Sequence, residues 1–167
     1  LQELWRKGTL VGALCYVLAR ATRAANPDAA LVTGLLHNVG RLYLVAGAHA
    51  HDPALPRAPG WDEVLQDWHP RFARAILAHW KFPDTVCAAV AGQNGWAREQ
   101  PPEDALSDVL VAALLLVPCV WYRDLLPDTV GTIGAFRRLR LEVEDCRRLL
   151  GDCAEQIRQL RDALSGA

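Results

Sequence analysis

The 167-residue chain is 51% hydrophobic and 22% charged, with a net charge of −1, a balance that suits a globular core and gives no electrostatic reason for a nucleic-acid partner. A chain of this length buries a core without disulfides or metals. Its longest apolar run, Val109 to Val117, falls short of the roughly 20 residues that span a bilayer, and no signal-peptide pattern opens it, so a soluble, cytoplasmic protein is expected.

The five cysteines (Cys15, Cys87, Cys119, Cys146 and Cys153) are odd in number and form no CxxC pair, which predicts buried reduced thiols rather than a disulfide frame or a zinc site. The chain opens on Leu1 and contains no methionine, as a fragment of a longer product would.

Leu4 to Ala25 places Leu4, Trp5, Leu10, Val11, Leu14, Cys15 and Leu18 at helical spacing, predicting a first helix. Asn26-Pro27 then supplies an N-cap and a first-turn proline for a second helix running to about Ala46. In its middle, Gly34-Leu35-Leu36-His37-Asn38-Val39-Gly40-Arg41 sets a polar pair into an apolar run. A buried imidazole and amide need a ligand, a metal or hydrogen-bond partners.

Gly47 to Gly60 is rich in Pro and Gly and predicts a loop, with His49 and His51 as an exposed pair rather than a chelate. Trp61 to Trp68 predicts a short helix, and His69-Pro70 the start of another through Phe72, Ala73, Ile76, Leu77 and Trp80, with His79 partly exposed. Phe82-Pro83-Asp84 opens the next helix, which ends near Gly92, and 96–102 forms a connector. Glu103 to Val117 is apolar on every side, as a central buried helix would be. A turn is expected after Pro118, through Asp124, Pro127 and Asp128.

The last predicted helix carries Leu139, Val143, Cys146, Leu150, Cys153, Ile157, Leu160 and Leu164 in alternating steps of three and four. This heptad seam fits either a dimerising coiled coil or a helix lying on its own domain. No segment shows β alternation, so the fold is expected to be all-α, with a domain over residues 1–130 and a C-terminal helix over 131–167.

Leu4-Trp5-Arg6-Lys7-Gly8, the Gly34 to Arg41 block, Trp68-His69-Pro70 and Ala78-His79-Trp80-Lys81-Phe82-Pro83 together resemble the HDOD proteins over about residues 4 to 118. These are bacterial signalling modules related to the HD and HD-GYP metal phosphohydrolases. The resemblance implies an HD-domain-like helical bundle, and a further helical half that ordinarily precedes this region. It also sets Lys7 where active HD enzymes have a metal-binding His. An ammonium there repels a cation.

By the same resemblance, the His-Asp pair has become His37-Asn38, His69 keeps a later His position, a further His falls on Gln93-Asn94, and the final Asp falls near Ala113, with Asp108 a poorer substitute. Hard divalent cations require carboxylates. The expected function is therefore a non-catalytic HDOD signal-transduction domain without a cofactor, acting through contacts with other signalling proteins, with Lys7, His37, Asn38, His69, Gln93 and Asn94 lining a polar pocket. Two alternatives stay open: a residual metal-dependent phosphohydrolase or phosphodiesterase using His37, His69 and Asp108, and a nucleotide- or phosphate-sensing domain in which Lys7 meets a phosphate.

Overall fold

The computed structural model describes residues 2–95, 104–122, 128–152 and 154–165. The connector expected at 96–102, together with Glu103, Asp124, Pro127 and Cys153, lies outside them. Every regular element among the described residues is helical, so the fold is all-α.

Helix α1 (Gln2–Thr22) is buried along most of its length from Gly8 to Ala19 because α2 (Pro27–Leu36), α6 (Ala105–Trp121) and α9 (Ala154–Ser165) all pack on it. The centre is thus shared by α1 and the apolar α6. Asn26 caps α2 as expected, its Oδ1 accepting from the amides of Asp28 and Ala29 at 2.9 and 3.0 Å.

The helix expected from Pro27 to Ala46 is instead two helices. Helix α2 stops at Leu36, His37 and Asn38 form a turn, and α3 (Val39–His51) follows. Glycines on either side set the geometry. A Cβ on Gly34 would lie 2.7 Å from the Gly12 Cα, so α2 rests directly on the backbone of α1. A Cβ on Gly40 would fall on the His69 carbonyl oxygen and 2.6 Å from the Ala73 nitrogen, so α3 rests on the backbone of α4 (Trp61–His79). The turn moves the chain from one neighbour to the other.

Helix α3 runs to His51, where a loop was expected; Asp52 ends it, its amide donating to the Ala48 carbonyl. His49 and His51 are both exposed on its last turn. Residues two apart on a helix do not face each other, so they form no chelate. Taken through its turn, the segment Pro27–His51 is long and apolar enough to cross a membrane, but a span would place the polar groups of His37 and Asn38 in hydrocarbon.

The two helices expected around His69-Pro70 are one, α4, with Pro70 inside it. Pro70 has no N–H to give the Gln66 carbonyl four residues earlier. Asn94 supplies the replacement, its Nδ2 donating to that oxygen at 3.0 Å. Helix α5 (Asp84–Ala91) opens after Pro83 as expected, while α6 continues through Pro118 to Trp121 instead of turning there.

The predicted C-terminal helix is also interrupted, between α7 (Gly134–Arg138) and α8 (Val143–Asp152), and α9 follows on the far side of Cys153. Helix α7 closes with the Leu141 amide donating to the Phe136 carbonyl at 2.9 Å and Arg140 at φ 56°, a left-handed helix stop. The seam residues Leu139, Cys146, Leu150 and Ile157 are buried in this domain's own core, and Val143 and Leu160 pack against it. Cys15, Cys87, Cys119 and Cys146 are buried free thiols.

Gly40→Ala should destabilise the protein by about 3 kcal/mol in urea denaturation, the upper end for overpacking, since its new methyl meets rigid backbone. Gly47 faces open space on the same helix, so Gly47→Ala should stabilise by roughly 0.5–1 kcal/mol.

Candidate functional site

The six predicted pocket residues come together around one cavity of about 180 Å³. Helix α1 supplies Lys7 at the mouth, the interhelical turn supplies His37 and Asn38, α4 supplies His69, and the segment after α5 supplies Gln93 and Asn94. Val111, Leu114 and Leu115 of α6 form an apolar wall.

Two polar lining residues were not anticipated. Arg41 of α3 stands four residues, about one helical turn, beyond His37, and Gln66 of α4 stands four before Pro70. Both spacings are visible in the sequence once the turn and the continuous α4 are known.

Gln93 and Asn94 hold the walls together. Gln93 Nε2 donates to the His37 and Val90 carbonyls at 3.0 and 2.9 Å, so its donor capacity goes to backbone. Asn94 ties down the Gln66 carbonyl and accepts from Gln66 Nε2 at 3.4 Å.

The remaining groups are not satisfied in this way. His37 Nδ1 lies 2.6 Å from the Gly34 carbonyl, and because a carbonyl only accepts, Nδ1 carries the proton and Nε2 offers a lone pair. His37 Nε2, Asn38 Nδ2 and His69 Nδ1 are buried without a hydrogen-bond partner among the described residues. His37, Asn38 and His69 are 1%, 5% and 4% exposed, so three polar groups are withheld from solvent beside one small cavity.

Both imidazoles are held neutral. Burial pushes His37 down to about 4, against the hydrogen bond to Gly34 and with help from Lys7 and His69. Burial also takes His69 to about 4, aided by Arg41 and Lys7. Desolvation, then repulsion by Arg41, lowers the Lys7 ammonium, with Glu3 opposing. Arg41 forms an ion pair with Asp62 at 3.6 Å, a carboxylate 89% exposed to solvent, where such a pair is weak. Two cations therefore face a cavity whose lining, among the described residues, contains no carboxylate.

This donor set does not fit a hard-metal centre. Two imidazoles, neutral amides, a lysine and an arginine supply no anionic oxygen, and the cations oppose a metal's charge. Asp108, the carboxylate considered for such a site, is engaged elsewhere. Its two oxygens accept from Arg138 Nε and Nη2 of α7, each at 2.7 Å, and Asp108 does not line the cavity. The sequence reading missed Arg138 because the pair spans 30 positions. Ala113, at the expected final-Asp position, is fully buried in the apolar core. His79 is exposed and away from the cavity.

The site is thus a His-Asn turn set between two close helix contacts of an all-helical domain, beneath a small cavity lined by Lys7 and Arg41. The model of the HDOD domain matches residues 1–95, more than half of the chain, and the chain belongs to this signalling-associated family. The match contains α1 to α5 and every polar lining residue of the cavity, but stops short of α6. Comparison with curated proteins and with solved structures returned no match.

Arg138→Met should cost about 3–5 kcal/mol in denaturant unfolding by leaving the buried Asp108 carboxylate unpaired. Adding Asp108→Leu should recover much of that loss.

Stability should also fall as pH drops. Each buried imidazole stays neutral in the folded protein down to about pH 4, while the unfolded chain takes up protons from about pH 6.5, so acid favours unfolding. For His37 this amounts to roughly 2 kcal/mol by pH 5. Urea titrations at pH 7.5, 6 and 5 should show the decline, with a shallower slope in His37→Gln.

Proposed function

We propose that this chain is a non-catalytic HDOD signalling domain that acts through protein contacts. The observation that carries the reading is the lining of the cavity. At the place where hydrolytic relatives of this architecture would hold metals, the domain presents Lys7 and Arg41, with His37 and His69 but, among the described residues, no carboxylate. Metal-assisted phosphoester hydrolysis needs a bound cation to polarise the phosphate and to lower the pKa of a water, and this lining opposes one. On this reading the Gly34 to Arg41 stretch is the relic of a metal centre.

A contact role is supported by the outer face of α4. Val64, Trp68 and Phe72, spaced four apart, are 46%, 48% and 43% exposed. Arg71 lies 5.4 Å over the Trp68 ring, and the exposed Tyr43 and Trp80 meet edge-on with ring centroids 6.4 Å apart. Aromatic residues and arginine are the side chains most enriched where protein partners bind. This face suits a signalling partner better than the C-terminal seam, whose central side chains are already buried. A cytoplasmic setting agrees with the buried free thiols.

Metal analysis of protein purified without chelator should find Fe, Mn and Zn well below one equivalent, with no turnover of a phosphodiester. Stoichiometric metal together with turnover, both lost in His37→Ala, would overturn the reading.

A further inference from the structure

We propose that the cavity bounded by Lys7, His37, Asn38, Arg41 and His69 binds a hydrogen-phosphate group, a tetrahedral oxyanion that carries both ionised oxygens and a hydroxyl. This deepens the non-catalytic reading by naming what the emptied metal position would accept, and it rests on that reading only for the expectation that nothing is hydrolysed.

The charge of the ligand follows from the rim. Lys7 and Arg41 line the same cavity, and Arg41 disfavours the charge on Lys7. The Asp62 carboxylate that pairs with Arg41 at 3.6 Å lies out in solvent, where such a pair contributes little. A dianion between the two would meet both with charge-assisted hydrogen bonds, whereas a metal cation would add a third like charge.

Size narrows the ligand further. The cavity is about 180 Å³, below the roughly 300–1,000 Å³ usual for drug-sized ligands, so it suits a phosphoryl group and not a buried nucleotide.

The unpartnered atoms specify the rest. Asn38 Nδ2 is a buried donor without an acceptor, and an anionic oxygen provides one. His37 lines the cavity with Nδ1–H tied to Gly34, so what it offers is the Nε2 lone pair, a buried acceptor without a donor. An anion made only of acceptors would leave Nε2 unpaired. Hydrogen phosphate carries one O–H and can donate it, while sulfate at neutral pH cannot. A buried group left unpaired by the wrong ligand is a strong source of discrimination, so the cavity should choose phosphate over sulfate.

The test is isothermal titration of the purified chain at pH 7.5 with inorganic phosphate, sulfate and methyl phosphate, with colorimetric assay of phosphate release from the ester. Phosphate should bind at one site, and sulfate at least about tenfold more weakly. Lys7→Gln and Arg41→Gln should each weaken phosphate about tenfold or more, while Arg158→Gln, on the exposed face of α9, should not. Circular dichroism selects folded variants, and Arg41→Lys provides a second probe should Arg41→Gln unfold.

No phosphate binding by the unmodified chain, binding undiminished in both cation variants, or sulfate binding as tightly as phosphate would each overturn the proposal. Methyl phosphate, a dianion without an O–H at pH 7.5, should bind about as weakly as sulfate, and its binding as tightly as phosphate would likewise overturn the proposal. Release of phosphate from the ester would leave the binding proposal standing and overturn the non-catalytic reading instead.

Discussion

The structure depends on two places where one helix backbone lies directly on another. Gly34 meets Gly12 of α1, and Gly40 meets the His69 carbonyl of α4. Neither position has room for a methyl group, and the chain between them must cross from one neighbour to the other within six residues. His37 and Asn38 occupy that crossing, and this places an imidazole and an amide in the interior where α1, α3, α4 and α6 converge. The polar pair marks the point at which the chain changes direction.

The cavity follows from how the surrounding backbone is satisfied. Pro70 removes one helical hydrogen bond, and Asn94 from the end of α5 takes the freed Gln66 carbonyl. Gln93, one residue earlier, takes the His37 carbonyl. Consecutive amides thereby clamp α4 and the turn to α5, which closes the cavity on that side. Having used their donors on backbone, they leave His37 Nε2, Asn38 Nδ2 and His69 Nδ1 as the unpaired groups. The division between wall and lining is therefore a consequence of where two carbonyls needed partners.

Much of this was legible in the residues themselves. The Asn26-Pro27 cap, the helical spacing of α1, the proline-opened α5 and the apolar α6 predict elements close to those observed, and the six polar candidates do share one cavity. The errors fall where a local signal was outweighed. Pro70 and Pro118 look like helix boundaries, but both lie inside helices, and at Pro70 the lost hydrogen bond is replaced from another segment. The C-terminal seam has the spacing of a continuous heptad repeat, but Arg140 adopts a left-handed conformation that ends α7, and α9 packs on α1. Asp108 looked available to a metal because its partner, Arg138, lies 30 residues away.

By itself the sequence determined the class of fold, the family and the set of polar residues that would meet, because helical periodicity, capping and the glycine-flanked His-Asn block are local properties of the chain. Tertiary structure decided the rest. It broke one expected helix at His37-Asn38 and joined two others through Pro70, because backbone contacts and replacement hydrogen bonds come from segments distant in sequence. It brought Arg41 beside Lys7, took Asp108 away, and sorted the polar residues into those bonded to backbone and those left unpaired. The charge facing the cavity and the hydrogen bonds still open within it are properties of that assembly, since no stretch of the chain contains both partners.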